Sequence, residues 1–373
     1  MKLQRRQLIG ISAVASVGLY APSVWAQNAA SRSPLVGQIA DMSNAYQDIS
    51  KDFIIGSRTA WQEINAAGGI RGQRVRHQVI EMDGSAAQTD SAWKQLRDDD
   101  SCISTFGTCA DPLAVQITVK NSAQRSELAH SAPWLQNSAI DIDRGTFPIF
   151  STREAQIQHA LQNMSNVGIN SLTVVYQSER DVMANTLDIQ RIAKNLKLAL
   201  RQMPVQHDLM AQARQISATQ VPLVLFVGGT PELVQFMQGW NRSGGIRYIV
   251  ALADVNLQTA LQMSGGKHVP VIGTQAVPVV SSSLAITRRF RAALAKYFDE
   301  PPTALSLAGY ISARYTAQVM QSAKSLTRSS VYEAFSRRQT IDLEGFRVEV
   351  ENGRLQSAFV TQSMMSLDGR VIG

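Results

Sequence analysis

Two cysteines in 373 residues are too few for a small fold stapled by disulfides. Charged residues make up only 17% of the chain and hydrophobic residues 45%, a balance that excludes a disordered chain and a coiled coil. No segment reaches the ~20 apolar residues that a membrane span requires; the N-terminal run from Leu8 to Tyr20 stops at 13. The five histidines, His77, His130, His159, His207 and His268, are scattered without the spacing of metal ligands. Also absent are a Gly-x-Ser-x-Gly elbow, a His-Glu-x-x-His pair, a Walker loop and a Gly-x-Gly-x-x-Gly turn after a strand. A secreted α/β hydrolase would need a nucleophile with a base in reach, and no pattern supplies the pair. The chain therefore reads as a non-enzyme with no cofactor and no metal.

What the sequence does contain begins with an export signal. Lys2, Arg5 and Arg6 precede the Leu8 to Tyr20 run, and Val24-Trp25-Ala26 ends on a small residue, so residues 1–26 read as a cleavable signal peptide with Gln27 as the mature start. Arg5-Arg6-Gln7-Leu8-Ile9 resembles a twin-arginine motif, yet Gln4 and Gly10 depart from its usual flanks, and both that route and ordinary Sec export stay open. A periplasmic location is expected. Three of the +7 formal charges lie in the signal, leaving +4, too little to argue for a nucleic-acid partner. Cys102 and Cys109 then face a compartment that permits disulfides, but Ile103-Ser104-Thr105-Phe106 between them reads as a strand. Seven extended steps span about 23 Å, whereas bridged Cα atoms lie about 5.5 Å apart, so two free thiols are expected.

The length implies about two domains. From Leu35 onward short apolar runs alternate with amphipathic stretches, the pattern of a parallel sheet with crossover helices. Strands are expected from Leu35 to Ala40, Arg74 to Met82, Cys102 to Phe106 and Glu127 to Ser131, with helices from Ile49 to Ala67, Ala86 to Arg97 and Pro112 to Gln124. Gly68-Gly69 ends the first helix. A second series has strands from Leu172 to Tyr176, Leu223 to Val227 and Tyr248 to Leu252, separated by helices from Ala155 to Asn166, Asp181 to Leu200 and Pro231 to Ser243. Helices from Leu284 to Phe298, Leu305 to Ala323 and Ser330 to Arg338 then precede strands from Phe346 to Glu351 and Ala358 to Ser366. The late helices are expected to return to the first lobe and the last strands to finish the second. That gives an α/β fold of two doubly wound parallel-sheet lobes joined by three crossovers, the first from 34–149 and 279–342, the second from 150–278 and 343–373.

In open parallel sheets ligands bind where strand ends meet helix N-termini. This nominates the loops holding Tyr46; Thr108, Cys109 and Ala110; Ser131, Ala132 and Trp134; Tyr176; Gly229 and Thr230; and Asp254. Thr230 can cap the helix that Pro231 opens, leaving free amides toward the cleft or merely capping its own helix. Tyr46 and Trp134 are the aromatics placed to stack on a ligand, whereas Trp61, Trp93, Tyr310 and Tyr315 read as core. His130 ends a strand, so a cleft role stays open. Asp98-Asp99-Asp100 reads as a solvated run. Arg288, Arg289, Arg291 and Lys296 read as an ordinary exposed helix face, with a docking face as the alternative.

The segment Trp61-Gln62-Glu63-Ile64-Asn65-Ala66-Ala67-Gly68-Gly69-Ile70-Arg71-Gly72-Gln73 resembles one found between the first helix and second strand of leucine/isoleucine/valine-binding proteins, the type I periplasmic solute-binding proteins of ABC importers. The likeness continues through Phe106-Gly107-Thr108, Gly168-Ile169, Val174-Val175-Tyr176-Gln177, Leu343-Glu344-Gly345-Phe346-Arg347-Val348 and Asp368-Gly369-Arg370. It implies a small solute bound between two closing lobes and delivered to a membrane permease, with a monomeric receptor. It also implies that the ligand carboxylate meets the loops of Thr108, Cys109, Ala110, Ser131 and Ala132. The second lobe of such proteins offers a Tyr-Gly pair and an acid. Here Tyr176-Gln177 replaces the pair and Asp254 is the loose match to the acid, so the solute is left as small and polar or carboxylate-bearing. A sensor presenting its closed form to a signalling receptor is the alternative role.

Overall fold

A computed structural model describes residues 33–140, 142, 145–219, 221–240, 247–264, 269–337, 339–351, 354–355, 359–366 and 369–373. The signal peptide, His268 and Asp368 lie outside the described residues. The first unit runs β1 (Leu35–Asp41), α1 (Gln47–Ala66), β2 (Arg76–Met82), α2 (Ala86–Asp98), β3 (Cys102–Phe106), α3 (Asp111–Gln124), β4 (Ala129–Ser131) and β5 (Thr146–Phe147). The second runs α4 (Arg153–Asn166), β6 (Ser171–Tyr176), α5 (Glu179–Asn195), β7 (Ala199–Gln202), α6 (Leu209–Ser217), β8 (Leu223–Val227), α7 (Thr230–Gly239), β9 (Tyr248–Ala251), α8 (Leu257–Met263) and β10 (Val271–Gln275). Then follow α9 (Ala285–Tyr297), α10 (Ala304–Ser322), α11 (Arg328–Phe335), β11 (Gln339–Leu343), β12 (Phe346–Glu351), β13 (Arg354–Leu355), β14 (Thr361–Met365) and β15 (Val371–Ile372).

The strands form two principal sheets, giving two α/β lobes. One has the order β2-β1-β3-β4-β5 and is parallel throughout. The other has the order β15-β14-β10-β9-β8-β6-β7 and is parallel except for β14 and β15. Strand β1 is buried along its whole length, as helices on both faces of a parallel sheet require. Helices α9 to α11 cover the first sheet: Phe290, Tyr310 and Phe335 share one core with Val36, Phe53 and Phe106. The chain thus passes between the lobes at β5 to α4, at β10 to α9 and on the way to β14. Strands β11, β12 and β13 make a separate antiparallel sheet. Its Ile341, Leu343, Phe346 and Val348 are buried in the first core, whereas the sequence pattern places residues from 343 onward in the second lobe.

Local chemistry explains the helix limits. Helix α1 stops where Gly69, at φ +75, sends its amide back to the Ile64 carbonyl at 2.9 Å; a Cβ there would sit 2.0 Å from the Gln73 carbonyl oxygen. Helices α1 and α10 approach backbone to backbone, because Gly56 faces the Ser306 carbonyl and Gly309 faces the Phe53 carbonyl, leaving no room for a side chain. Helix α10 opens with a capping box between Thr303 and Ser306. Cys102 and Cys109 are free and buried, matching the extended strand between them. Trp61, Trp93, Tyr310 and Tyr315 are core residues.

Among the described residues no helix is long and apolar enough to cross a membrane, and no group of three His, Cys, Asp or Glu side chains is placed to hold a metal ion.

Candidate functional site

The loops at the carboxyl ends of both parallel sheets meet along one seam. At its centre lies Arg153, the first residue of α4, whose neighbour Thr152 caps the helix by accepting the Ala155 amide at 3.2 Å. A positive side chain is misplaced beside the positive end of a helix, and two carboxylates offset it. Arg153 Nη1 donates to Asp111 Oδ2 at 2.7 Å, while Nη2 and Nε donate to Asp254 Oδ2 at 2.5 and 3.2 Å. Asp111 opens α3 on the first lobe, and its other oxygen accepts the Gln136 and Asn137 amides at 2.6 and 2.9 Å. Asp254 follows β9 on the second lobe, and its Oδ1 accepts the Trp134 indole N–H at 3.0 Å. Burial opposes the Arg153 charge, but the two carboxylates outweigh it and its pKa is raised. The triad therefore ties the lobes together while it remains charged.

Further contacts cross the same seam. Asp52 on α1 accepts Asn256 Nδ2 at 2.8 Å and Thr303 Oγ1 at 2.7 Å. Thr230 donates to the Asp48 carboxylate and accepts the Asn256 amide at 3.0 Å. Gln156 joins the layers from beneath, accepting the Ala253 amide at 2.9 Å and donating to Gln136 Oε1 at 3.0 Å. Burial pushes the Tyr46 hydroxyl up to about 12 against a lowering pull from Arg180. It also raises Asp48, Asp181 and Glu232, and takes Asp52 to about 6. Asp48 Oδ2 and Glu232 Oε2 are buried without a hydrogen-bond partner among the described residues.

Two spaces open on this seam. The inner one, about 30 Å³, is bordered by Tyr46, Arg153, Gln177, Asp181, Gly229 and Asp254, and is large enough for water only. The outer one, about 370 Å³, lies between the start of α1 and helices α7 and α8, with Asn44, Asp48, Lys51, Asp52, Pro231 and Thr259 on its walls.

Of the residues nominated from the sequence, Tyr46, Trp134, Gly229, Thr230 and Asp254 come together here. Gly229 donates its amide to Gln177 Oε1 at 3.0 Å. Thr230 does not cap α7: Gly229 holds the cap position with no side-chain bond, and the Thr230 hydroxyl serves Asp48 and Asn256 instead. Trp134 is packed edge-on to Phe53 with ring centres 5.9 Å apart, so its indole N–H, not its face, meets the seam.

The others turn into their own lobes. Thr108 Oγ1 bonds His130 Nε2 at 2.9 Å, both buried, which removes His130 from the cleft. The Cys109 thiol meets the Gly107 carbonyl at 3.3 Å, and Ser131 Oγ pairs with Thr316 Oγ1 at 2.8 Å. Ala110 and Ala132 are buried at φ +76 and +45, backbone positions that L-residues adopt only under constraint. Tyr176 is buried in the second-lobe core, 3.4 Å from Thr186 Oγ1. Arg289 is occupied by Glu63 and Glu344, and Arg291 by the Val280 and Ser282 carbonyls, while Arg288 and Lys296 are exposed.

A family model for periplasmic binding proteins matches residues 35–364. A search of curated protein sequences finds no match. Among solved structures, an extracellular ligand-binding receptor from Verminephrobacter eiseniae is similar at TM-score 0.82 and 19% identity, over 91% of this chain and 100% of that one. An ABC transporter substrate-binding protein from Desulfitobacterium hafniense, in complex with Leu, is similar at 0.72 and 13%, over 91% and 98%. A fatty acid ABC transporter substrate-binding protein from Thermomonospora curvata is similar at 0.76 and 15%, over 90% and 89%. At such identities the structures establish the fold, two α/β lobes of the type I kind, and the match along nearly the whole chain establishes the kinship: this protein belongs to the periplasmic binding protein family.

Proposed function

We propose that this chain is an extracytoplasmic receptor that encloses one small polar solute between its lobes and delivers it to the permease of an ABC importer. The observation that carries this reading is the chemistry of the seam. Polar groups from the strand ends of both lobes are paired across it, yet one carboxylate oxygen each of Asp48 and Glu232 is left buried and unpartnered among the described residues, a costly arrangement that a bound donor would relieve. The inner space of about 30 Å³ is too small for a solute, so entry requires the lobes to part, and ligand contacts then favour closure.

The fold accommodates leucine in the D. hafniense protein, and the T. curvata protein is designated for fatty acid. In this chain the acids Asp48, Asp52, Asp181 and Glu232 outnumber Lys51 and Arg180, and Arg153 is already paired. That surplus favours a solute with N–H donors or positive charge, such as an amine, an amide or an amino-acid-like molecule. A simple organic acid would have to displace Asp111 or Asp254 from Arg153. A thermal-shift screen of amino acids, amides, amines and organic acids, followed by calorimetry, tests this. Donor-bearing solutes are expected to raise the melting temperature and to lose affinity in Asp48→Asn and Glu232→Gln variants. Binding of organic acids alone would overturn the donor assignment, and the absence of any solute binding at micromolar level would overturn the receptor reading.

A further inference from the structure

A second cavity, about 300 Å³, lies behind the seam on the hinge side. It is ten times larger than the inner space of the cleft and reaches the size at which small-molecule pockets begin. Leu257, Val280, Leu305 and Ile372 give it apolar walls, drawn from both lobes and from the crossover that follows β10.

Its polar groups are mostly engaged elsewhere. Arg291 donates to the Val280 and Ser282 carbonyls, so among the described residues lining the cavity no free positive charge awaits an anion. Asn256 serves Asp52 and the amides of Gln258 and Thr259, and Thr303 serves Asp52 and Ser306. Gln275 is different. Its Nε2 donates to Ser363 Oγ at 3.0 Å, while its Oε1 is buried with no partner among the described residues. A buried acceptor without a donor costs free energy, which an ordered water or a donor on a bound ligand restores. A ligand matching these walls is neutral, mainly apolar and equipped with one donor.

We infer that this hinge-side cavity is a second small-molecule site, separate from the cleft, for a neutral apolar molecule carrying one hydroxyl or primary amide, with Gln275 as its polar anchor. The site stands whether or not the cleft takes the solute proposed above. 1-Hexanol, which carries the single hydroxyl and no N–H donor, is the probe, titrated calorimetrically into the full chain. Wild-type protein is expected to bind it with a dissociation constant below about 1 mM. Ala304→Trp, which fills the cavity from its rim, and Gln275→Leu, which removes the anchor, are each expected to weaken binding about tenfold or more. Asp48→Asn, in the cleft, should leave 1-hexanol binding unchanged, which separates failure of this site from failure of the cleft reading. Circular dichroism verifies that each variant is folded, and if Ala304→Trp does not fold, Gln275→Leu decides. No wild-type binding, equal binding by wild type and the folded cavity variants, or loss of binding in Asp48→Asn would each overturn the assignment.

Discussion

Replacing Arg153 with glutamine removes the guanidinium that bridges Asp111 and Asp254. The Arg153 side chain is 11% exposed, and its loss deletes three charge-assisted hydrogen bonds. Breaking a buried ion pair from one side typically costs about 3–5 kcal/mol, because the other charge is left uncompensated. Each acid keeps some support, Asp111 from two backbone amides and Asp254 from the Trp134 indole, so the lower end, about 3 kcal/mol, is expected. For a protein of this size, at ~2.1 cal/mol/K of unfolding entropy per residue, that is a fall of roughly 4 °C in melting temperature. Scanning calorimetry on wild type, Arg153→Gln, Asp254→Asn and the double variant supplies the full cycle. Asp254→Asn removes one of the two charges that Arg153→Gln strands, so the double variant should cost less than the sum of the singles by about 1–3 kcal/mol. Strictly additive losses, or a single-variant loss under about 1 kcal/mol, would refute the argument that this triad is a buried tie between the lobes.

Three further outcomes follow from particular residues. Gly309→Ala would place a Cβ 1.9 Å from the Phe53 carbonyl oxygen and force α10 off α1, at about 3 kcal/mol by denaturant titration; an unchanged midpoint would mean the helices do not touch there. Burial lowers His130 to about 3, whereas an unfolded histidine titrates near 6.5. Its contribution is present above about pH 6.5 and drains away as pH falls toward 3, so His130→Gln should flatten the acid side of the stability curve. Asp52 has the opposite sign: raised to about 6 by burial, it stabilises most below about pH 4 and loses that contribution as pH rises through 6. Wild type should therefore gain on Asp52→Asn when urea midpoints are compared at pH 7 and then at pH 4.

Much of the architecture was legible because its signals are local. Fully buried strands such as β1 and β8 are short apolar runs between turn residues, and Gly68-Gly69 marks the end of α1 plainly. The misses have physical reasons. Helix was expected to run from Asp181 to Leu200, yet α5 stops at Asn195 and β7 begins at Ala199. The stop is made by Lys197 at φ +57, where no glycine announces a left-handed turn. Strand β10 went unread because Gly273 interrupts a five-residue run that lies between Pro270 and Pro278; its place is fixed by pairing with β9 and β14. Helices α6 and α8, of 9 and 7 residues, are too short to establish a period. Strand β11 lies after a helix whose amphipathic pattern runs into it, and only the Leu343 and Phe346 pairing across Glu344-Gly345 fixes the hairpin.

The site was legible at the level of loops and not of side chains. Strand-end reasoning nominates loops that the fold gathers at the carboxyl ends of the two sheets, because position along a parallel strand is written in the sequence, but whether a side chain at a strand end faces the seam or its own lobe depends on partners far away in the chain. Ser131 turns inward because Thr316, on α10, offers it a bond; Thr108 does so because His130 is beside it. Arg153 was missed although it left a signal of the right kind. A cation in the first turn of a helix opposes the helix dipole, so its presence demands compensation from elsewhere. An acid opening the helix after β3 and another following β9 are the groups that a parallel-sheet topology brings to the same seam. Read this way, a locally unfavourable residue points more directly to the contact between lobes than the hydroxyl-rich loops do. The contact it marks binds lobe to lobe, so any ligand of the cleft must fit around a charged strap that the protein supplies for itself.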